Sequence, residues 1–341
     1  GALLGLDREV HAIAARGGCG PYVAGGFVSD GTGRELQHVA RWTGEAWERV
    51  GDAAFDVRQL EIATTGELFA AGFASEFAGS AFGDTVWRLR GGAFEEIGRA
   101  MGVPSDRTSG DGEVLGMAAG PDGRVYVTGS FVTIGGVAAR NVAVFDGEGW
   151  QALGEGVDGW IEDVAVLPDG RPVVVGRIGT DSADVGTHVA IFEDGEWRPL
   201  GDLRSLPLSG IAIWRGEVVV VAHLDGRVGA GESLVARYDG TAWHDLGTSD
   251  FITVSGGRTK LVASGDTLLL VGQLPLFEDL IRSAKLAVWH GDHWIPFEES
   301  TADFGFAAAV TSTGIWLGGR FSTISATPAD QIAFFELESV K

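Results

Sequence analysis

The chain has 341 residues, of which 47 are acidic and 25 basic, giving a formal net charge of −22; so one-sided a surface repels phosphate backbones and anionic lipid and excludes nucleic acid as a partner. A single cysteine, Cys19, excludes an intramolecular disulfide and a thiolate metal cluster. No run of about 18 apolar residues occurs, so no membrane span is expected. The 54 glycines beside a 45% apolar fraction fit many short strands joined by tight turns rather than disorder or helical bundles. Gly1 is not followed by the basic and apolar regions of a signal peptide, so a soluble protein is expected, either cytoplasmic or secreted after signal removal.

In chain order, the first predicted strand is Ala2-Leu3-Leu4-Gly5, which aligns with Gln151-Ala152-Leu153-Gly154 far downstream. Four-strand units then follow at about 10–51, 56–98, 112–154, 160–201, 206–247, 258–298 and 305–340. The third is the clearest. Strand a lies around Leu115 to Ala119, a Pro121-Asp122-Gly123 turn leads to strand b at Val125 to Gly129, and a loop with Gly135-Gly136 precedes strand c at Val142 to Phe145. An Asp146-Gly147 turn then leads to strand d at Trp150 to Leu153. Alternating apolar residues punctuated by Asp-Gly are hairpin signals.

Strand d recurs as an aromatic followed three residues later by an apolar residue and usually Gly: Trp47, Phe94, Trp150, Trp197, Trp243 and Trp294. Five residues before each stands a large apolar residue of strand c, namely Trp42, Leu89, Phe145, Phe192, Tyr238 and Trp289. A period of 46 to 56 residues holding four strands predicts an all-β, single-domain, seven-bladed β-propeller over 1–341. The seventh unit lacks strand d, and residues 1–7 are expected to supply it and close the ring.

With Gly25-Gly26-Phe27 and Gly318-Gly319-Arg320-Phe321 on strand b and the Trp-x-x-Leu-Gly outer strands, the whole chain resembles bacterial propeller repeats of the galactose-oxidase-like and delta-60 kind, and more loosely kelch repeats. The resemblance implies a propeller and leaves function open. The copper chemistry of galactose oxidase does not carry over, because Tyr22 and Tyr126 occupy corresponding strand b positions and Tyr238 is a repeat aromatic.

No nucleophile elbow, phosphate loop or cofactor fingerprint is present, and no cofactor is expected. His290-Gly291-Asp292-His293 lies in a c-to-d turn and falls short of the three or four converging ligands zinc requires. Asp30 and Asp181 to Asp184 read as Asx turns rather than calcium loops. Seven of the eleven Trp fill the repeated strand c and strand d positions, whereas Trp160 and Trp214 lie outside any repeat position.

In a propeller the b-to-c and d-to-a loops surround one mouth of the central channel. Ahead of the last apolar residue of strand b the sequence reads Gly26, Gly72, Ser130, Arg177, His223, Gln273 and Arg320, small in blades one to three and polar or basic in four to seven. Strand a adds His11, Arg58, Glu61, Glu113, Glu162, Asp163 and Lys260 near its beginnings. Two b-to-c loops are apolar, with Phe73, Phe77 and Phe82 in blade two and Leu274, Leu276, Phe277, Leu280 and Ile281 in blade six; they are expected to face each other across the mouth. Met101, Val103 and Pro104, in the long insertion after blade two, are expected to extend one wall.

A monomeric binding protein is expected, holding a largely apolar small molecule or a hydrophobic partner segment with Phe73, Phe77, Phe82, Arg177, Gln273, Leu276, Phe277 and Arg320. The alternatives are an enzyme working on such a ligand by acid-base chemistry (isomerase, cyclase or hydrolase) through His223, His11, Glu113 and Glu162, and a purely structural interaction module.

Overall fold

A computed structural model describes residues 5–16, 20–53, 56–73, 83–102, 111–179, 188–201, 203, 208–222, 235–247, 259–276, 279–300, 304–324 and 327–336, with backbone alone at 273–276, 279–285, 297–300, 304, 323–324 and 327–328. The chain forms a seven-bladed β-propeller of antiparallel sheets, ordered a, b, c, d in blades one to six and a, b, c in blade seven among the described residues. The inner strands are Val10–Ala14, Asp56–Ile62, Glu113–Ala119, Gly159–Val166, Leu208–Trp214, Lys260–Ser264 and Phe304–Val310. Each lies against the next, and the seventh against the first, so the channel wall is a closed ring.

Alternation along strand b sends side chains to opposite faces of a blade, and the core therefore lies between blades. Val125 and Val127 pack with Phe69, Val86 and Ala100 of blade two, while Tyr126 packs with Ile161, Val164 and Val174 of blade four.

The aromatic repeat has a direct geometric meaning. In the six c-to-d hairpins the five-residue spacing places the two residues opposite each other: Trp42 with Trp47, Leu89 with Phe94, Phe145 with Trp150, Phe192 with Trp197, Tyr238 with Trp243, and Trp289 with Trp294. The aromatic pairs approach at 5.1 to 5.4 Å between centroids, within the favourable range for tilted rings. Four of the strand d indole N–H groups then reach back to the preceding blade. Trp150 Nε1 donates to Ile97 O at 2.7 Å, Trp197 to Leu153 O at 3.0 Å, Trp243 to Leu200 O at 2.9 Å and Trp294 to Leu246 O at 3.2 Å. The acceptor is always the apolar residue three after the preceding strand d aromatic. The Gly that follows leaves room for the incoming ring: a Cβ at Gly201 would lie 2.8 Å from Trp243 Nε1, and at Gly51 2.7 Å from the Phe94 ring.

Two smaller features join neighbouring blades. Strand d of blade two extends over Ala93–Met101 and pairs with Thr133–Ile134 in the b-to-c loop of blade three, so that loop is a hairpin sewn onto the previous sheet. At the chain start, Leu6 N–H donates to Asp330 O in blade seven, and the Asp7 carboxylate accepts the N–H groups of Val28 and Ser29 in blade one. Residues 5–7 thus bridge the last blade to the first. Residues 1–4, expected to complete blade seven, lie outside the described residues, as do Val103 and Pro104.

Replacing Trp150 by Ala should cost roughly 3–5 kcal/mol in denaturant unfolding through lost packing, whereas Trp150→Phe, which keeps a ring but strands the Ile97 carbonyl, should cost about 1–2 kcal/mol. Equal losses would show that the indole hydrogen bond contributes nothing. Deleting Gly1–Asp7 should lower Tm and promote association through the uncovered edge of blade seven; an unchanged Tm with a monomeric elution profile would deny these residues the closing role.

Candidate functional site

At its mouth end the inner strand carries a β-bulge in six of the blades. One extra residue stands unpaired against strand b: His11, Arg58, Leu115, Glu162, Ser209 and Phe306. A bulge re-aims a side chain and bends its strand. Strand b accommodates it with a small residue, since a Cβ at Gly25, Gly72, Gly129 or Gly176 would collide with the carbonyl oxygen of Glu9, Asp56, Glu113 or Trp160.

One step nearer the mouth, strand a and strand b residues face one another as Asp56 with Phe73, Glu113 with Ser130, Trp160 with Arg177, and Phe304 with Arg320; in blade one Gly26 N–H donates to Glu9 O. This corrects the sequence alignment in blade two. Gly72 corresponds to Gly25, because both pair just outside the bulge, and the blade-two counterpart of Ser130, Arg177 and Arg320 is Phe73. The mouth is split by charge: blades one to three present Glu9, Asp56 and Glu113, while blades four and seven present the exposed Arg177 and Arg320.

A linked set of side chains runs along the acidic side. His11 lies edge-on to Phe306 of blade seven at 5.7 Å, its Nδ1 is 3.4 Å from Asp56 Oδ1, and its Nε2 is 3.9 Å from Glu9 Oε1. The His11 imidazole beside it holds the Asp56 carboxyl below its ordinary range against the opposing effect of burial. Arg58 Nη1 stands 3.9 Å from Asp84 Oδ1, and the other Asp84 oxygen accepts Val114 N–H at 3.0 Å. Burial pushes the Asp84 carboxyl above its ordinary value, with the Val114 N–H and Arg58 acting the other way.

Of the residues expected at the site, His11, Glu113, Phe73, Arg177 and Arg320 stand at the mouth, and Glu162 is the bulge residue of blade four. His223, Phe77, Phe82 and Phe277 lie outside the described residues; Gln273 and Leu276 fall on strand b of blade six, Thr267–Leu276, where only backbone is described. Asp163 is structural: it accepts Ile211 N–H from blade five at 3.2 Å and its own Val164 N–H at 2.9 Å. Glu61 belongs to the far end of its strand rather than the beginning. Burial in the channel wall pushes its carboxyl up to about 7, with the Ala119 N–H and Arg16 opposing and Asp163 adding to the rise.

Asp56 and Asp84 escaped the sequence reading. Counting from bulge to bulge would have found Asp56, which aligns with Glu113; nothing in the sequence marks Asp84. Of the two tryptophans outside the repeat, Trp214 is a fastener: it is buried, donates to Asp266 O of blade six at 3.1 Å and is covered by Arg215, itself paired with Asp266 at 2.9 Å. Asp30 forms an Asx turn, accepting Thr32 N–H at 2.9 Å and Arg34 N–H at 3.0 Å. His293 is bonded to its neighbour Asp292 at 2.6 Å in an exposed turn. Among the described residues no three His, Cys, Asp or Glu side chains converge as a metal site, and no helix is long and apolar enough to cross a membrane.

Residues 100–315 match the family model described as the Rax2 C-terminal beta propeller domain. No curated protein matches the chain. Solved structures share the architecture at low identity. Virginiamycin B lyase from Staphylococcus aureus has 10% identity over 92% of this chain and 94% of its own, with a TM-score of 0.54. YCF48 bound to D1 peptide has 13% identity over 92% and 91%, with a TM-score of 0.52. The WD40 beta propeller domain of Doa1 has 10% identity over 93% and 91%, with a TM-score of 0.56. At these identities the likeness is one of fold alone.

Glu61 generates a pH test. A carboxyl whose folded pKa is about 7 against an ordinary 4.5 favours the folded state in its protonated form. That contribution is present below about pH 4.5, declines as pH rises and is lost above about 7. Glu61→Gln should therefore flatten the fall in Tm between those values and leave the variant more stable than wild type at pH 8. The same pH dependence in both proteins would show that Glu61 does not titrate there.

Proposed function

The chain belongs to the family of Rax2 C-terminal β-propeller domains, and from that premise and the mouth geometry we propose that it is a binding protein whose ligand sits over the channel on the b-to-c loop face. The observation that carries this is the split mouth, with carboxylates on blades one to three and exposed arginines on blades four and seven. A rigid ring with polar groups converging on one opening is the usual form of a binding site. The apolar composition of the segments holding Phe73 and Leu276, at the ends of their b strands, and Phe77, Phe82 and Phe277 beyond them in the sequence supports a ligand that is largely apolar where it meets them, either a small molecule or a hydrophobic segment of a partner. Propellers of this fold include one bound to a peptide and one that is a lyase, so the architecture accommodates binding and catalysis alike.

A second reading is favoured by one specific arrangement. His11, held between Asp56 and Glu9 at the mouth, is an imidazole with carboxylates on both ring nitrogens, which suits proton transfer to a bound ligand. Under that reading His11→Asn abolishes turnover and leaves affinity nearly intact.

The test is a double substitution, Phe77→Asp with Phe277→Asp. Native mass spectrometry after incubation with a metabolite extract should show a bound species on wild type that the double variant loses. Tm should stay near wild type, because exposed loop changes usually shift stability by only about 0.5 kcal/mol. A folded double variant that retains the bound species would place the binding face elsewhere on the ring, and one that unfolds like Trp150→Ala would make these loops core.

A further inference from the structure

Trp160 is the one exposed Trp, Tyr or Phe side chain among the described residues, at 38% exposure. It occupies the mouth position that holds Glu9, Asp56 and Glu113 in the first three blades, directly opposite Arg177 on strand b. Directly opposed residues of an antiparallel pair share one face of the sheet, with Cβ atoms about 4.5–5.5 Å apart. That face is the one turned to blade five: Val173 and Val175, four and two residues before Arg177 on strand b, pack against Leu208 and Ile211.

Neither side chain is used by the fold. Among the described residues Trp160 makes no ring contact and its indole N–H has no acceptor, in contrast to the four staple indoles and to Trp214. Among the described residues Arg177 has no hydrogen-bond or ion-pair partner, although other arginines of blades three and four do: Arg140 bonds Asp158 at 2.7 Å, and Arg171 bonds Asp169 at 2.7 Å and Glu193 at 2.9 Å. In a chain of net charge −22, a mouth guanidinium with no partner among those residues is available to an anionic group.

We propose that Trp160 and Arg177 form a subsite for a ring-bearing carboxylate, the apolar ring stacking on the indole and the carboxylate taken bidentately by the guanidinium. The indole supplies a large apolar face, and the planar guanidinium fork matches a carboxylate. A phosphate has the same oxygen geometry, but its second charge meets the acidic field of the protein and of Glu113 and Glu162 nearby in the ring of strand a. A singly charged acid is the better fit. The inference rests on the channel mouth being the binding face and names the class of ligand that face takes. The chemistry is shared by a free aromatic acid and by the C-terminus of a peptide ending in an aromatic residue.

The experiment is a titration of the full chain with 2-naphthoate, 2-naphthamide, a tripeptide ending in Phe with a free carboxylate, and inorganic phosphate. It is read on the indole N–H resonance of Trp160, assigned by its loss in Trp160→Phe. The naphthoate or the peptide should move that resonance, and the stronger of the two identifies the source. The amide should bind at least about tenfold more weakly, and Arg177→Gln should lose about tenfold or more, as expected for a charge-assisted hydrogen bond, with Arg177→Lys between. Both positions are exposed, so Tm should not move. The subsite is refuted if neither acid moves the resonance, if acid and amide bind alike, or if Arg177→Gln binds as wild type; phosphate binding as tightly as naphthoate refutes the carboxylate assignment. Should these fail while Phe77→Asp with Phe277→Asp still loses its bound species, the binding face stands and only this subsite falls.

Discussion

An indole N–H buried between two sheets must find an acceptor, and here it finds the carbonyl that ends the outer strand of the blade before. That bond makes the Trp-x-x-Leu-Gly strand a two-sided fastener. Its Trp serves the interface behind, while its apolar carbonyl and Gly serve the interface ahead by accepting the next indole and leaving space for the ring. Blade two departs from the pattern with Phe94, which has no N–H to donate and packs its edge over Gly51 instead. Blade six departs at the other half, because its Phe297 is followed by Glu298 where the other outer strands have Gly.

The inner end of six blades obeys a second constraint. A bulge in strand a and a small residue in strand b recur together, because the bulged backbone brings a carbonyl where a Cβ would stand. The bulge residue itself does not repeat, and it ranges over His, Arg, Leu, Glu, Ser and Phe around the ring. Outer strands that repeat and inner ends that vary divide the work: the periphery holds the ring rigid, and the mouth is free to differ from blade to blade.

That division explains what could be read from sequence. Blade number, strand order and the paired aromatics were legible because they repeat and because a five-residue spacing across a tight turn has one cross-strand outcome. The alignment failed by one residue in blade two, where Gly72 looked like Gly26 and proved equivalent to Gly25, because a bulge shifts register without leaving a mark in the sequence. Trp214 looked unexplained for a related reason: its acceptor, the carbonyl of Asp266, belongs to a different blade 52 residues on. Asp84, outside any strand repeat, becomes visible only once Val114 and Arg58 are seen beside it.

The mouth contains two kinds of charged group, and the difference bears on what a ligand can do there. His11, Asp56, Arg58 and Asp84 already lean on one another and on the Val114 N–H, so an incoming ligand would have to break protein contacts to use them. Groups paired in this way fix the shape of the floor and limit what binding must order. Arg177 has no such contact to surrender, and its neighbour Trp160 has already left a large apolar face in water. Covering that face and filling those donors both favour the bound state, whereas engaging the acidic set exchanges one partner for another. For the proposed subsite, the free energy a ligand gains therefore comes from blade four, although more of the charge among the described residues is on blades one to three.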